Sequence, residues 1–213
     1  MIVAGFPAPA ARTKSLLPSD KLNPVQVTEG KGAVALVATE YGNIDGLTPY
    51  NEFTIMISVM YGMADDTAGL HGYYILHRLV TTEEARLMGC EVFGYPTSVA
   101  DITFEDSDKV RRCLVRSEGK DIIRLEIRKL PTDPLSWDMY FYSIKGRELL
   151  RSFVQGQGQQ GVSGDRGGAL YTLGSHPIAD KLRTLRMNKF SVLHRYSPHW
   201  QSLVQLPGEH LPK

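Results

Sequence analysis

Residues 50–62, YNEFTIMISVMYG, decide the fold class, because apolar and polar side chains alternate along them. Alternation with a period of two is typical of a β-strand with one face against a core. The apolar face carries four residues: Phe53, Ile55, Ile57 and Val59. Glu52 falls on the opposite, more polar face. An acid inside a closed sheet is paired or has a raised pKa, as at many functional sites, whereas the alternative is an exposed strand end.

The same alternation recurs further along the chain. Residues 109–130, KVRRCLVRSEGKDIIRLEIRKL, predict a hairpin whose turn is Glu118–Gly119. Residues 98–108 resume the pattern after a turn at Gly94–Pro96. A closed barrel would remove the many strand edges that such a chain creates. We therefore predict an α+β fold that is mainly β, a closed antiparallel β-barrel with a few peripheral helices, in one domain spanning residues 1–213.

Two segments carry the start signals of helices. Thr81 or Thr82 is a good cap for a helix with an acidic first turn. Pro177 stands near the start of an amphipathic segment, where His176 is expected to cap or to pack. Both helices are predicted to lie at the periphery of the sheet.

Residues 155–168, QGQGQQGVSGDRGG, have little to bury and predict a mobile loop. The part from Gly156 to Gly161 matches G-x-G-x-x-G literally. A dinucleotide site would also need a buried strand before the glycines and a helix after them, and further glycines follow here. We expect no nucleotide cofactor, and nothing else in the chain indicates another cofactor.

Composition excludes several classes of partner. With 24 basic and 23 acidic residues the formal charge is +1, so no global field attracts nucleic acid or an anionic membrane. No apolar run approaches the roughly 20 residues of a membrane-spanning helix. Cys90 and Cys113 lack metal-ligand spacing, so we expect no metal site. We expect two free thiols in a reducing compartment, and a disulfide between them is the alternative. The first residues do not read as a signal peptide, and the expected location is the cytoplasm.

An ordered set of motifs resembles the acetoacetate decarboxylase family. In chain order the set is Tyr50–Glu52, Tyr73–His77, Glu83–Ala85 and Glu91–Ser98. The resemblance is sharpest from Pro49 to Asp106. It implies a cone-shaped antiparallel barrel with the active site inside. It also implies two adjacent lysines directly after the Tyr-Pro pair, the first forming a Schiff base with a ketone while its neighbour's charge lowers its pKa.

In this chain the two lysine positions fall on Thr97 and Ser98. Neither hydroxyl can form an imine. Counted back without gaps, a second family acid falls near Val37, and a carboxylate-binding arginine falls near Pro7. The resemblance assigns a positioning and protonating role to Glu52. We therefore expect that acetoacetate is not decarboxylated.

Other lysines are poor substitutes for the missing pair. Lys120 lies beside the predicted hairpin turn, Lys129 ends a predicted strand, and Lys145 precedes a glycine. All three are expected to be exposed, where an amine keeps its proton and is a weak nucleophile.

Three hypotheses for the function follow. The first is a lyase- or hydratase-type enzyme on a small keto-acid-type or carbonyl compound, with Glu52 as the catalytic acid or base. In it, four residues bind the substrate: Tyr50, Tyr95, Thr97 and Ser98. The second is a non-catalytic barrel that binds or senses a small molecule. The third is a structural subunit of a homo-oligomer, since family barrels assemble. An enclosed polar pocket at Glu52 would favour the enzyme. An interior filled by side chains would favour a vestigial barrel.

Overall fold

The computed structural model describes residues 1–44, 46–62, 70–205 and 209–212. Three helices lie within them: α1 Ala10–Lys14, α2 Glu83–Glu91 and α3 Pro177–Thr184. The strands of the described residues are β1 Ile2–Pro9, β2 Leu22–Pro24, β3 Gln26–Thr28, β4 Lys31–Tyr41, β5 Tyr50–Tyr61, β6 Leu70–Val80, β7 Thr97–Val99, β8 Asp101–Asp106, β9 Val110–Ser117, β10 Lys120–Arg128, β11 Asp133–Lys145, β12 Glu148–Ser163, β13 Ala169–Leu173, β14 Leu193–Val204 and β15 Glu209–Leu211.

Seven strands close into a barrel. They follow the order β5-β4-β1-β14-β12-β11-β6, and β6 pairs with β5 to complete the ring. Six of the seven pairings are antiparallel, and the pairing of β6 with β11 is parallel. The closed barrel predicted from the alternating strands is confirmed.

A second, four-stranded sheet covers one outer side of the barrel, in the order β13-β10-β9-β8. The predicted hairpin forms β9 and β10, with positive φ angles at Glu118 and Gly119 in its turn. The barrel and the second sheet pack against each other around one hydrophobic core. Leu36 and Phe53 of the barrel and Leu125 of the second sheet are completely buried in it. Leu36 and Phe53 therefore lie on the outer face of β4 and β5. Because successive side chains of a strand point to opposite faces, the residues between them point into the barrel.

The helices begin where the sequence indicates. The Thr82 side chain accepts a hydrogen bond from the backbone of Ala85 at the start of α2. His176 does the same for α3, whose first residue is Pro177. Both observations confirm the predicted helix starts. Among the described residues, no helix combines the length and the apolar character needed to cross a membrane.

The prediction of a loop at residues 155–168 is wrong for its first nine residues. Strand β12 continues to Ser163 and pairs with β11 without a register shift. Its glycines serve close packing, because a Cβ atom on Gly156 would collide with the Trp137 ring. The glycines of the segment make room for neighbouring side chains, and Gln160 is itself buried, neither of which its composition alone reveals.

Candidate active site

Glu52 lies inside the barrel. It pairs across the sheet with Thr39 of β4 and Val80 of β6, on the face of β5 that points away from the second sheet. The residue is 9% exposed. A carboxylate at such a position needs partners, because burying an unpaired charge is costly.

Arg78 of β6 is the main partner of Glu52. Its Nε and Nη2 atoms lie 2.8 and 2.7 Å from Oε2 of Glu52, and its Nη1 donates to the carbonyl of Ala85 at 2.9 Å. Arg78 is 5% exposed. Burial alone would lower the pKa of Arg78, but the adjacent Glu52 carboxylate outweighs it and raises that pKa. The guanidinium is therefore a fixed positive charge in the barrel.

Hydroxyl groups complete the shell around this ion pair. Thr54 donates to Oε1 of Glu52 at 2.7 Å, and Tyr50 donates to Oε2 at 3.4 Å while accepting from Arg78 at 2.8 Å. Burial raises the pKa of Tyr50, and Glu52 raises it further. Oε1 accepts only the Thr54 hydrogen bond from the described residues, so it keeps capacity for a proton or a ligand donor.

The Gly94–Pro96 turn places an aromatic group next to the ion pair. Gly94 has a φ of 64°, and a Cβ atom there would lie 2.8 Å from the carbonyl oxygen of Ile144, so only glycine fits. The turn buries Phe93 and Tyr95 in the barrel interior with their rings stacked at 5.1 Å.

The Tyr95 hydroxyl is buried and makes no hydrogen bond of ordinary geometry with a described residue. Burial raises the pKa of Tyr95, and the neighbouring Ser152 hydroxyl opposes part of that rise. The hydroxyl therefore stays protonated at neutral pH. The hydroxyl is thus a donor that has no partner of ordinary geometry among the described residues. It lies close enough to Glu52 and Arg78 for their charges to affect its pKa.

Thr97 and Ser98 face opposite sides. Thr97 lies beside Arg78, because both approach the same point next to Gly89. A Cβ atom on Gly89 would be 2.5 Å from the Thr97 hydroxyl and 2.5 Å from Nη1 of Arg78. The Ser98 hydroxyl instead lies 3.0 Å from Nε2 of His77, which pairs with Ile55 on the outer face. The structure thus brings Tyr50 and Tyr95 to the Glu52–Arg78 pair, places Thr97 on the Nη1 side of Arg78, and leaves Ser98 outside.

None of the three lysines named from the sequence has a hydrogen bond or ion pair with Glu52 or Arg78 among the described residues. Lys120 and Lys145 are exposed, as predicted. Lys129 is only 24% exposed in its side chain and pairs with Asp106 at 2.8 Å, so the prediction of exposure is wrong there. Lys145 lines an open cavity of about 280 Å³ beside Tyr95, where its amine donates to the carbonyl of Glu91 at 2.5 Å.

Sequence reasoning missed Arg78 and Thr54. The signal for Arg78 was available, because LHRLV places a charged residue inside an apolar strand. A register shift between β5 and β6 at Ile55–Met56 changes which residues of β6 point inward, and periodicity did not reveal it. The described residues also contain no group of three or more His, Cys, Asp or Glu side chains that could hold a metal ion.

Comparisons with known proteins support one family. A family model described as acetoacetate decarboxylase matches residues 1–198. The fold is similar to acetoacetate decarboxylase from Legionella pneumophila (TM-score 0.69, 13% identity, 99% of this chain and 84% of the other). It is also similar to the enduracididine biosynthesis enzyme MppR complexed with pyruvate (TM-score 0.70, 10% identity, 98% and 86%). An acetoacetate decarboxylase-like enzyme from Sphingomonas wittichii matches with a TM-score of 0.59 and 15% identity over 99% and 89%. No curated protein gives a significant sequence match.

Proposed function

This chain belongs to the acetoacetate decarboxylase family, and from that premise we propose that its barrel binds a small carbonyl compound of the keto-acid type. We further propose that it acts as a lyase- or hydratase-type enzyme without forming an imine. The observation that carries the proposal is the buried Glu52–Arg78 pair beside the buried Tyr95 hydroxyl, which makes no hydrogen bond of ordinary geometry with a described residue. A buried arginine whose pKa is raised by a carboxylate partner is a perturbed group of the kind that clusters at functional sites. The pyruvate in the related MppR complex supports the ligand class.

The proposed first step is removal of a proton from the carbon next to the carbonyl. The C–H bond breaks, its proton goes to Oε1 of Glu52, and the electron pair moves to the carbonyl oxygen. Tyr95 donates a hydrogen bond to that oxygen as charge develops on it. Arg78 holds the Glu52 carboxylate in place and adds a fixed positive charge nearby. A general base of this kind contributes about 10²- to 10⁴-fold in rate.

A non-catalytic binding protein is the second candidate. Two observations favour it: Oε2 of Glu52 already accepts from both Arg78 and Tyr50, and the Phe93 and Tyr95 rings occupy part of the barrel interior. In that case Tyr95, Thr97 and Tyr50 would only orient a ligand. Binding without proton removal distinguishes this candidate from the enzyme.

Hydrogen exchange in D₂O tests the proposal. Pyruvate is incubated with the protein, and loss of its methyl proton NMR signal is followed. The wild type should accelerate exchange, and Glu52→Gln should lower the protein-dependent rate by at least about 100-fold because the base is removed. Pyruvate binding to the variant, measured by calorimetry, should change little.

Matched controls separate chemistry from folding. Glu126→Gln removes another acid that pairs with an arginine, Arg112 on the second sheet, and should leave exchange unchanged. Borohydride added with pyruvate should give no reduced lysine adduct by mass spectrometry, whereas an adduct on Lys145 would contradict the imine-free mechanism. Wild-type binding without exchange would favour the second candidate, and absence of binding would overturn both. A cytoplasmic location and a homo-oligomeric state stay predictions from the sequence.

A further inference from the structure

The wall formed by β12 and β14 carries polar side chains that lack partners. Arg195 makes no hydrogen bond or ion pair with a described residue, and its Nε atom is sealed from solvent. Gln160 is 4% exposed, yet neither atom of its side-chain amide has a partner among the described residues. The hydroxyl of Ser197 is likewise buried and has no hydrogen-bond partner in the part of the chain that the structure describes. Buried polar groups are paired in the large majority of cases, so such a group needs an explanation.

Strand register places Arg195 inside the barrel. Arg195 pairs directly with Val3 of β1, Val3 with Val37 of β4, and Val37 with Thr54 of β5. Residues that face each other directly across adjacent strands share one face of the sheet. Since Thr54 donates to Glu52 in the barrel interior, Arg195 points into the same interior.

Gln160 lies on that face too. Ser152 of β12 points inward, because it lies close enough to Tyr95 to affect its pKa. Strand β12 pairs with β11 in continuous register from Glu148 to Gln160, so alternation carries the inward face from Ser152 to Gln160. Gln160 is two residues from Val162, which is directly opposite Arg195. On the inner face, position 160 of β12 is therefore a diagonal neighbour of position 195 of β14.

Solvent reaches this part of the interior. Val3, Val37 and Arg195 are partly exposed, whereas the outward-facing Ile2 and Leu36 beside them are completely buried. The partial exposure of inward residues means that open space adjoins them. Burial lowers the pKa of Arg195, and only part of that effect is opposed by Tyr73. Arg195 is a partly buried cation without an anionic partner among the described residues, which is unfavourable, and an arriving anion would reverse this.

We propose that Arg195 and Gln160 form an anion subsite that binds the carboxylate of the ligand. Arginine suits this role because its planar donors match the two carboxylate oxygens, and the Gln160 amide supplies a further donor. The subsite lies on β14, not near Pro7 of β1, where the family resemblance places a carboxylate-binding arginine. It deepens the proposed function, on which it rests, by naming the residues that bind the carboxylate end of the ligand.

Binding of a carboxylate without a ketone tests the subsite separately from the chemistry. Butanoate and its neutral analogue butanamide are titrated into the wild type, Arg195→Met and the control Arg124→Met, which removes an exposed arginine of β10. The wild type and the control should bind butanoate more tightly than butanamide. Arg195→Met should weaken butanoate binding about 10- to 100-fold, as expected for a lost charged hydrogen bond, and leave butanamide binding unchanged. Arg195→Lys should recover part of the loss.

The stability of the variant provides a second readout. A purely structural arginine would lower the denaturation midpoint when removed, whereas Arg195→Met should keep or raise it because no protein partner is lost. Equal butanoate affinity in Arg195→Met and wild type overturns the subsite, and so does a wild type that does not distinguish butanoate from butanamide. Butanoate binding that depends on Arg195 supports the subsite whether or not the protein catalyses hydrogen exchange of pyruvate. Absence of that exchange would overturn only the proposed catalysis.

Discussion

At the scale of single residues, the Glu52–Arg78 pair combines a structural cost with a chemical use. Taking both charges out of water costs several kcal/mol per ion, so a buried pair is weak evidence for stability. Here each charge also has neutral partners: Thr54 and Tyr50 donate to the carboxylate, and Tyr50 and the Ala85 carbonyl accept from the guanidinium. Removing one charge leaves the other buried without compensation.

Arg78→Met should therefore lower the free energy of unfolding by about 3–5 kcal/mol. The Glu52→Gln/Arg78→Met double variant should recover much of that loss, because no charge remains buried and the introduced side-chain amide can still accept from Thr54. Urea denaturation of the two single variants, the double variant and the wild type measures the coupling. A double variant no more stable than Arg78→Met would show that the two charges are not energetically linked.

At the scale of elements, the sequence predicted the strands with strict alternation and the helices with capping residues. Thr82 and His176 act locally, so their roles could be derived from neighbouring residues alone. Strand β12 and the inward position of Arg78 depend on contacts with other strands, which periodicity does not encode. Ser98 was placed with Glu52 because it follows Thr97, although adjacent strand residues point to opposite faces.

The outer-face contact of β6 with β7 should make stability depend on pH. Burial lowers the pKa of His77 to about 4, with smaller effects of Lys181 and His176. The unfolded chain binds more protons than the folded one between that value and about 6.5, so stability falls as pH decreases through this window. The slope from His77 is at most about 1.4 kcal/mol per pH unit.

Urea denaturation at pH 7, 6 and 5 measures this dependence. His77→Gln should show a smaller loss of stability than the wild type, since Gln can still bond to Ser98 without titrating. His199→Gln, at an exposed histidine of β14, should behave as the wild type. Identical slopes for His77→Gln and wild type would mean that His77 does not titrate differently in the two states.

At the scale of the whole molecule, the barrel closes through a short parallel seam. Strands β6 and β11 share three paired positions: Gly72 with Tyr140, Tyr73 with Phe141, and Tyr74 with Tyr142. The other six pairings are antiparallel and have more paired positions, and parallel pairing is slightly less stable per residue, so this seam is a point where the ring can be weakened. It also carries Tyr73, which lies beside Arg195, so closure of the barrel and the shape of its interior are linked.

Gly72→Ala should weaken the seam. A Cβ atom there would collide with the backbone oxygen of Tyr140 and lie 2.8 Å from the Tyr142 ring, and backbone cannot move aside cheaply. We expect a loss of about 1–3 kcal/mol in the free energy of unfolding and faster amide exchange at Phe141. Gly42→Ala is the control, because nothing lies within 4 Å of its Cβ position and its φ is not positive. If both variants were equally stable and exchanged alike at Phe141, the close approach of β6 to β11 would not hold the ring together, and closure would have to depend on the antiparallel pairs alone.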